Sequence, residues 1–216
     1  MDSVLKFVQI LFYLTAGFVA ILTYIKAKSG LLNTINTEYH KKVIDRLSAL
    51  SEDLFSEFDH ESDNYWARSD LSGEIISRIH DQVDNLKHEI ISKKVSAREV
   101  SGIPIPELLI KLEAQLNRIR SDPFIPNKIR DITATYLSDR VESLREAVME
   151  ESEKYLIGLS EGKYWESKAE NKHWFHNNLM ENIRGSGFGV LETEKRVTEI
   201  RDAIREYFES YNPIAM

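Results

Sequence analysis

The sequence predicts an all-α protein, an N-terminal single transmembrane helix followed by a multi-helix bundle. Three observations carry this. A charge-free apolar run extends from Phe7 to Ile25. Downstream, apolar residues recur in steps of three and four with no convincing strict alternation, the pattern of helices that bury one face. The breaks between these periodic stretches are short and hold Pro, Gly, Ser and Asp, as interhelical turns do.

The apolar run reads FVQILFYLTAGFVAILTYI. As a helix rising ~1.5 Å per residue it covers roughly 28 Å, close to the ~30 Å hydrocarbon core of a bilayer. A threonine hydroxyl at Thr15 or Thr23 can bond back to its own helix, and Gln9 lies near enough to one end to reach the interface. Lys26 and Lys28 follow with no small-residue cleavage site, which fits an anchor better than a cleaved signal peptide. Lys26, Lys28, Lys41, Lys42 and Arg46 outnumber Lys6 on the other flank. The positive-inside rule therefore places the C-terminal part in the cytoplasm. Ala16, Gly17 and Ala20 form a small-residue patch where a second membrane helix can pack closely. The expected organisation is a short flank over 1–6, a membrane helix over 7–25, a helical soluble domain over 31–211 and a tail over 212–216.

After Ser29 and Gly30, a helix is expected from Leu31 to Phe58, with its stripe on Leu32, Ile35, Tyr39, Val43, Leu47, Leu50, Leu54 and Phe58. It either starts afresh or continues the membrane helix through a bend at Gly30. The run DHESDNYWARSD, from Asp59 to Asp70, breaks the pattern, and Ser69 or Asp70 can cap the next helix. That helix carries Leu71, Ile75, Ile79, Val83, Leu86 and Ile90 and ends near Val95. SGIPIP is a second break, and a short helix follows through Leu108, Leu112, Leu116 and Ile119. SDPFIP is the third, because Pro both ends a helix before it and pre-sets the first turn after it.

The longest soluble helix then runs from Asn127 to Ser160, with Ile129, Ile132, Tyr136, Val141, Leu144, Val148, Tyr155 and Leu159 on one face. The aromatic-rich stretch from Lys163 to Ile183 is expected to be helical, GSGFG to turn, and a last helix to carry Val197, Ile200, Ile204, Phe208 and Tyr211 before Asn212 and Pro213 stop it.

Composition narrows the function classes. A formal charge of −7 gives no basic footprint for nonspecific nucleic-acid binding. The absence of cysteine removes disulfides and a thiol nucleophile. No motif implies a cofactor, and GSGFG lacks the strand and the Lys-Ser/Thr of a phosphate loop.

Several groups remain as candidate sites. Trp165, Trp174 and Phe175, with interleaved lysines, offer aromatic anchors for a partner, and Glu52, Asp53 and Glu57 offer an acidic one. The same aromatics also suit core packing. His80, Asp84 and His88 are spaced four apart, so one helix would line them up as metal ligands, with His173 and His176 as a second pair. Asp59, Glu61, Asp63 and Asp70 resemble a calcium loop in spacing, with Asn64 where glycine is wanted and the short Asp70 where Glu is wanted.

The function expected is that of a membrane-anchored helical protein whose partners are the lipid membrane and either a protein or further copies of itself. It would serve as an assembly or effector component. The alternative is a membrane-tethered metal-dependent hydrolase built on the His/Asp stripe.

Overall fold

The computed structural model describes residues 2–210, with side chains placed from Lys6 onward. The chain divides into two compact units, Met1–Arg46 and Leu47–Met216. Among the described residues every regular element is a helix.

Helix α1 (Asp2–Phe55) carries the whole first unit and ends in the second. It runs unbroken through Ser29 and Gly30, so the expected boundary at 31 is absent. Its stretch from Lys6 onward is long and apolar enough to cross a membrane, and none of that apolar window is buried within the protein. Side chains such as Phe12, Leu14, Phe18 and Ile21 stand open all around the helix. Thr15 Oγ1 donates to the Leu11 carbonyl and Thr23 Oγ1 to that of Val19, each at 2.8 Å, so the polar groups of the run are satisfied locally.

In the second unit, α1 ends at Phe55, earlier than its periodicity suggests, and a turn-rich segment leads to α2 (Leu71–Val83). The Asp70 carboxylate accepts from the Gly73 amide at 3.1 Å and so caps α2. A single 3-10 turn, Asp84–Leu86, then separates α2 from α3 (Lys87–Ile91). The expected single helix over this region is therefore two. Helix α4 (Ala97–Ser101) is a further short turn of helix that the pattern does not announce.

Helix α5 (Glu107–Ser121) starts directly after Pro106, and α6 (Asn127–Ser160) directly after Pro126, as proline at a helix entrance dictates. Helix α7 (Lys168–Gly185) opens at the Ser167 cap and α8 (Val190–Ser210) closes the described chain. The residues from Lys163 to Ser167 are not helical, contrary to expectation. Tyr164 holds a left-handed backbone (φ 65°), which stops a helix from starting there. Tyr211, Asn212 and Pro213 lie outside the described residues.

Helix α6 is the spine of the bundle: α3, α4, α5, α7 and α8 all pack on it, and α2 packs on α4 and α7. The core holds Leu47, Leu50 and Leu54 from α1, Ile75, Ile79 and Val83 from α2, and Leu112, Leu116 and Ile119 from α5. Leu137, Tyr155, Leu156 and Leu159 of α6 and Phe175 and Leu179 of α7 are fully or almost fully buried. Several residues leave their expected places. Leu32, Ile35 and Tyr39 of the expected α1 stripe are exposed, Leu109 takes the buried position beside the half-buried Leu108, and Ile132 is 39% exposed.

Candidate functional site

Where α1 ends, the chain turns back through Trp66 and meets α6, α7 and the start of α8. A cavity of about 500 Å³ opens between them. Its floor is apolar: Leu71 from α2, Leu144 from α6, Met180 and Ile183 from α7, and Phe188 from the turn before α8. Trp66 stands at its edge, 47% exposed, on a backbone pinned by Trp66 N–H to Glu57 C=O at 3.0 Å.

One wall is charged. Arg140 donates to both oxygens of Glu57, at 2.8 and 3.1 Å, and to the Tyr136 hydroxyl at 3.1 Å. Burial on its own pushes an arginine toward the neutral form, but the Glu57 carboxylate overrides it and raises the Arg140 pKa above its ordinary value. The guanidinium therefore stays charged. Ser143, one turn further along α6, is buried with a hydroxyl that has no hydrogen-bond partner, and it lines the same cavity. Arg184 and His176 complete the wall, both exposed.

A second polar network lies inside the bundle. His80 is fully buried between α2 and α6. Its Nδ1 meets Asp84 Oδ1 at 2.6 Å, and its Nε2 meets the Tyr155 hydroxyl at 2.8 Å. Desolvation pushes the Asp84 carboxyl up, but hydrogen bonds from His80 and Lys168 more than reverse it, and its pKa lies below the usual value. An ionised Asp84 only accepts, so His80 Nδ1–H donates to it. In the neutral ring, Nε2 then accepts from Tyr155 O–H. Burial pushes the Tyr155 phenol pKa up, which keeps that proton in place. The chain Tyr155–His80–Asp84–Lys168 closes at Lys168 Nζ, 2.9 Å from Asp84 Oδ2.

This network corrects the expected metal stripe. His80 sits in the core rather than beside it, and both of its ring nitrogens are engaged. The 3-10 turn after Val83 takes His88 off the line, onto α3, where it is exposed. His173 is exposed on α7, and His176 places Nδ1 3.2 Å from Ser72 Oγ. Among the described residues no group of three or more His, Cys, Asp or Glu could hold a metal ion. The geometry on which the hydrolase alternative depends is not assembled.

The acidic turn is likewise committed internally. Asp59 Oδ1 accepts from the Glu61 amide at 3.0 Å, Arg68 lies 3.4 Å from Asp63, and Asp70 takes Lys172 at 2.6 Å in addition to its cap. Of the acidic candidates on α1 and just beyond it, Asp53 pairs with Arg118 at 2.6 Å and Glu57 with Arg140, while Glu52 is exposed. Ala16, Gly17 and Ala20 are exposed, with nothing within 4 Å of a Cβ placed on Gly17.

The aromatic segment splits. Phe175 is fully buried against Tyr155, ring centroids 5.8 Å apart and perpendicular, so it belongs to the core and offers nothing to a partner. Trp174 and Trp165 are half-buried. Tyr164 is stacked between Tyr155 (5.0 Å) and Trp174 (5.1 Å) and turns one edge onto Gly158, where any Cβ would fall 2.1 Å from its ring. The Trp165 indole N–H donates to the Leu159 carbonyl at 2.9 Å, and Lys87 Nζ sits 5.4 Å from its ring centre. This clasp ties the start of α7 to the end of α6 and leaves the two indoles partly open.

Compared with protein-family models, curated proteins and solved structures, the chain matches none, so its site is read from its own chemistry.

Proposed function

We propose that the protein is a single-pass membrane-anchored helical protein whose bundle associates, at the cytoplasmic face, with a partner protein or with further copies of itself. The observation that carries this reading is the apolar stretch of α1, none of which is buried in the bundle. Exposing that many large apolar side chains to water would cost about 25 cal/mol for each Å². A lipid environment removes the cost, and the helix satisfies its own backbone and threonine groups as a span must. The cytoplasmic placement rests on the lysines that follow the run.

Alkaline carbonate extraction of membranes from cells making the intact chain tests the anchor. Retention in the pellet, with Met1 to Ile25 still present in the mature protein by mass, is the expected result. Release to the supernatant, or a mature chain that lacks the run, refutes it. Self-association has its own test. Gly17→Leu should weaken cross-linking between copies if Ala16, Gly17 and Ala20 form the contact, and an unchanged oligomer removes that idea.

A further inference from the structure

The cavity between Trp66, α6 and α7 has the Glu57–Arg140 pair in one wall, and its apolar floor takes no part in a polar network. We infer that it binds a single-tailed anionic amphipath, an acyl chain bearing a carboxylate. Its size suits one such molecule: about 500 Å³ falls in the ~300–1,000 Å³ range of small-ligand sites. Leu71, Leu144, Met180, Ile183 and Phe188 supply walls with no hydrogen-bonding side chain, which fits a hydrocarbon body.

The electrostatics select the sign of the head. Glu57 is the only acidic side chain lining the cavity among the described residues, and Arg140 already neutralises it through two hydrogen bonds. Arg184 lines the wall, exposed and without an ion pair among the described residues. Arg196 places a second guanidinium 4.4 Å from the Phe188 ring, also without a carboxylate partner among the described residues. The surplus charge around the cavity is positive, and a guanidinium fork matches a carboxylate by paired N–H···O bonds.

The proposal does not depend on the membrane reading, because every lining residue lies at Glu57 or beyond.

The test uses the full chain in lipid nanodiscs and dodecanoate carrying a photoreactive diazirine at its tail, with adducts mapped by mass spectrometry. The expected adducts fall on Trp66 and on the cavity face of α7, and unlabelled dodecanoate competes them away while dodecanol does not. Arg184→Gln, an exposed change that leaves the packing alone, should weaken that competition about tenfold. Met180→Trp should fill the cavity and remove the adducts while helicity by circular dichroism is unchanged. Adducts confined to residues 7–25, equal competition by dodecanol, or loss of adducts only when a second polypeptide co-purifies would each overturn the inference. The last outcome would assign the cavity to a protein side chain.

Discussion

Gly158→Ala sets two physical effects against each other, and the structure decides the sign. Within a helix, alanine is ordinarily more stable than glycine by ~0.5–1 kcal/mol, and Gly158 lies inside α6. Here, however, the new Cβ would sit 2.1 Å from Tyr164 Cε2 and 2.6 Å from Cδ2. The ring cannot slide away, because Tyr155 and Trp174 hold its two faces. Expelling it loses two aromatic contacts at ~0.5–1.5 kcal/mol each, and holding it in place costs about 1–3 kcal/mol of overpacking. Relaxing the left-handed Tyr164 backbone returns ~1 kcal/mol. The cheaper response governs, and after the helix-propensity gain the net expectation is a loss of about 1 kcal/mol, or a Tm lower by roughly 2–4 °C. Thermal unfolding followed by tryptophan fluorescence reads this directly, since Trp174 is part of the stack. In a Tyr164→Ala background the clash is gone, and the same Gly158→Ala change should become stabilising by ~0.5–1 kcal/mol. If Gly158→Ala stabilises the otherwise unaltered protein, the close approach of Tyr164 to α6 is refuted.

Three further outcomes are expected. His80→Ala should cost about 3 kcal/mol in urea unfolding, since it opens a cavity and strands the Tyr155 hydroxyl, and a change within 0.5 kcal/mol would refute its place in the core. Arg140→Met should destabilise by about 3 kcal/mol because it leaves Glu57 unpaired, whereas Arg140→Met combined with Glu57→Leu should recover most of that loss; double-mutant denaturation curves check it. Asp70 and Asp84 both have folded pKa values below 3.8, so the folded state binds fewer protons than the unfolded. Their stabilisation is full above that value and is lost as pH falls through the lower folded pKa, and Asp84→Asn should flatten the acid limb of a stability-versus-pH curve.

The helices were legible because each buries one face, and burial writes a 3.6-residue period into the sequence. Ile75, Ile79 and Val83, or Leu112, Leu116 and Ile119, mark the core with no knowledge of their neighbours. The prolines before α5 and α6 and the Asp70 cap are equally local signals. What failed depends on partners distant in sequence. His80 is polar and falls at the margin of its stripe, and only the Tyr155 hydroxyl and Asp84 make its burial tolerable. Phe175 and Trp174 are adjacent and chemically similar, yet Tyr155 buries the first while Tyr164 leaves the second half open. The break after Val83 occurs without glycine or proline to announce it. The cavity draws its walls from five helices and two turns, and no single stretch of sequence contains its pattern.

The central position of α6 has a consequence for the order of assembly during synthesis. Helices α3, α4 and α5 leave the ribosome before the surface they pack on exists, since α6 begins only at Asn127. The apolar faces destined for it stay uncovered until it emerges. The natural first docking event is the α5–α6 hairpin, whose arms are joined by a short turn and bring together residues close in sequence. The bundle should therefore condense outward from its middle, with α2 and the end of α1 recruited backward and α7 and α8 added as they emerge. A nascent chain halted near Ser121 should engage a holding chaperone, and one extended past Ser160 should release it.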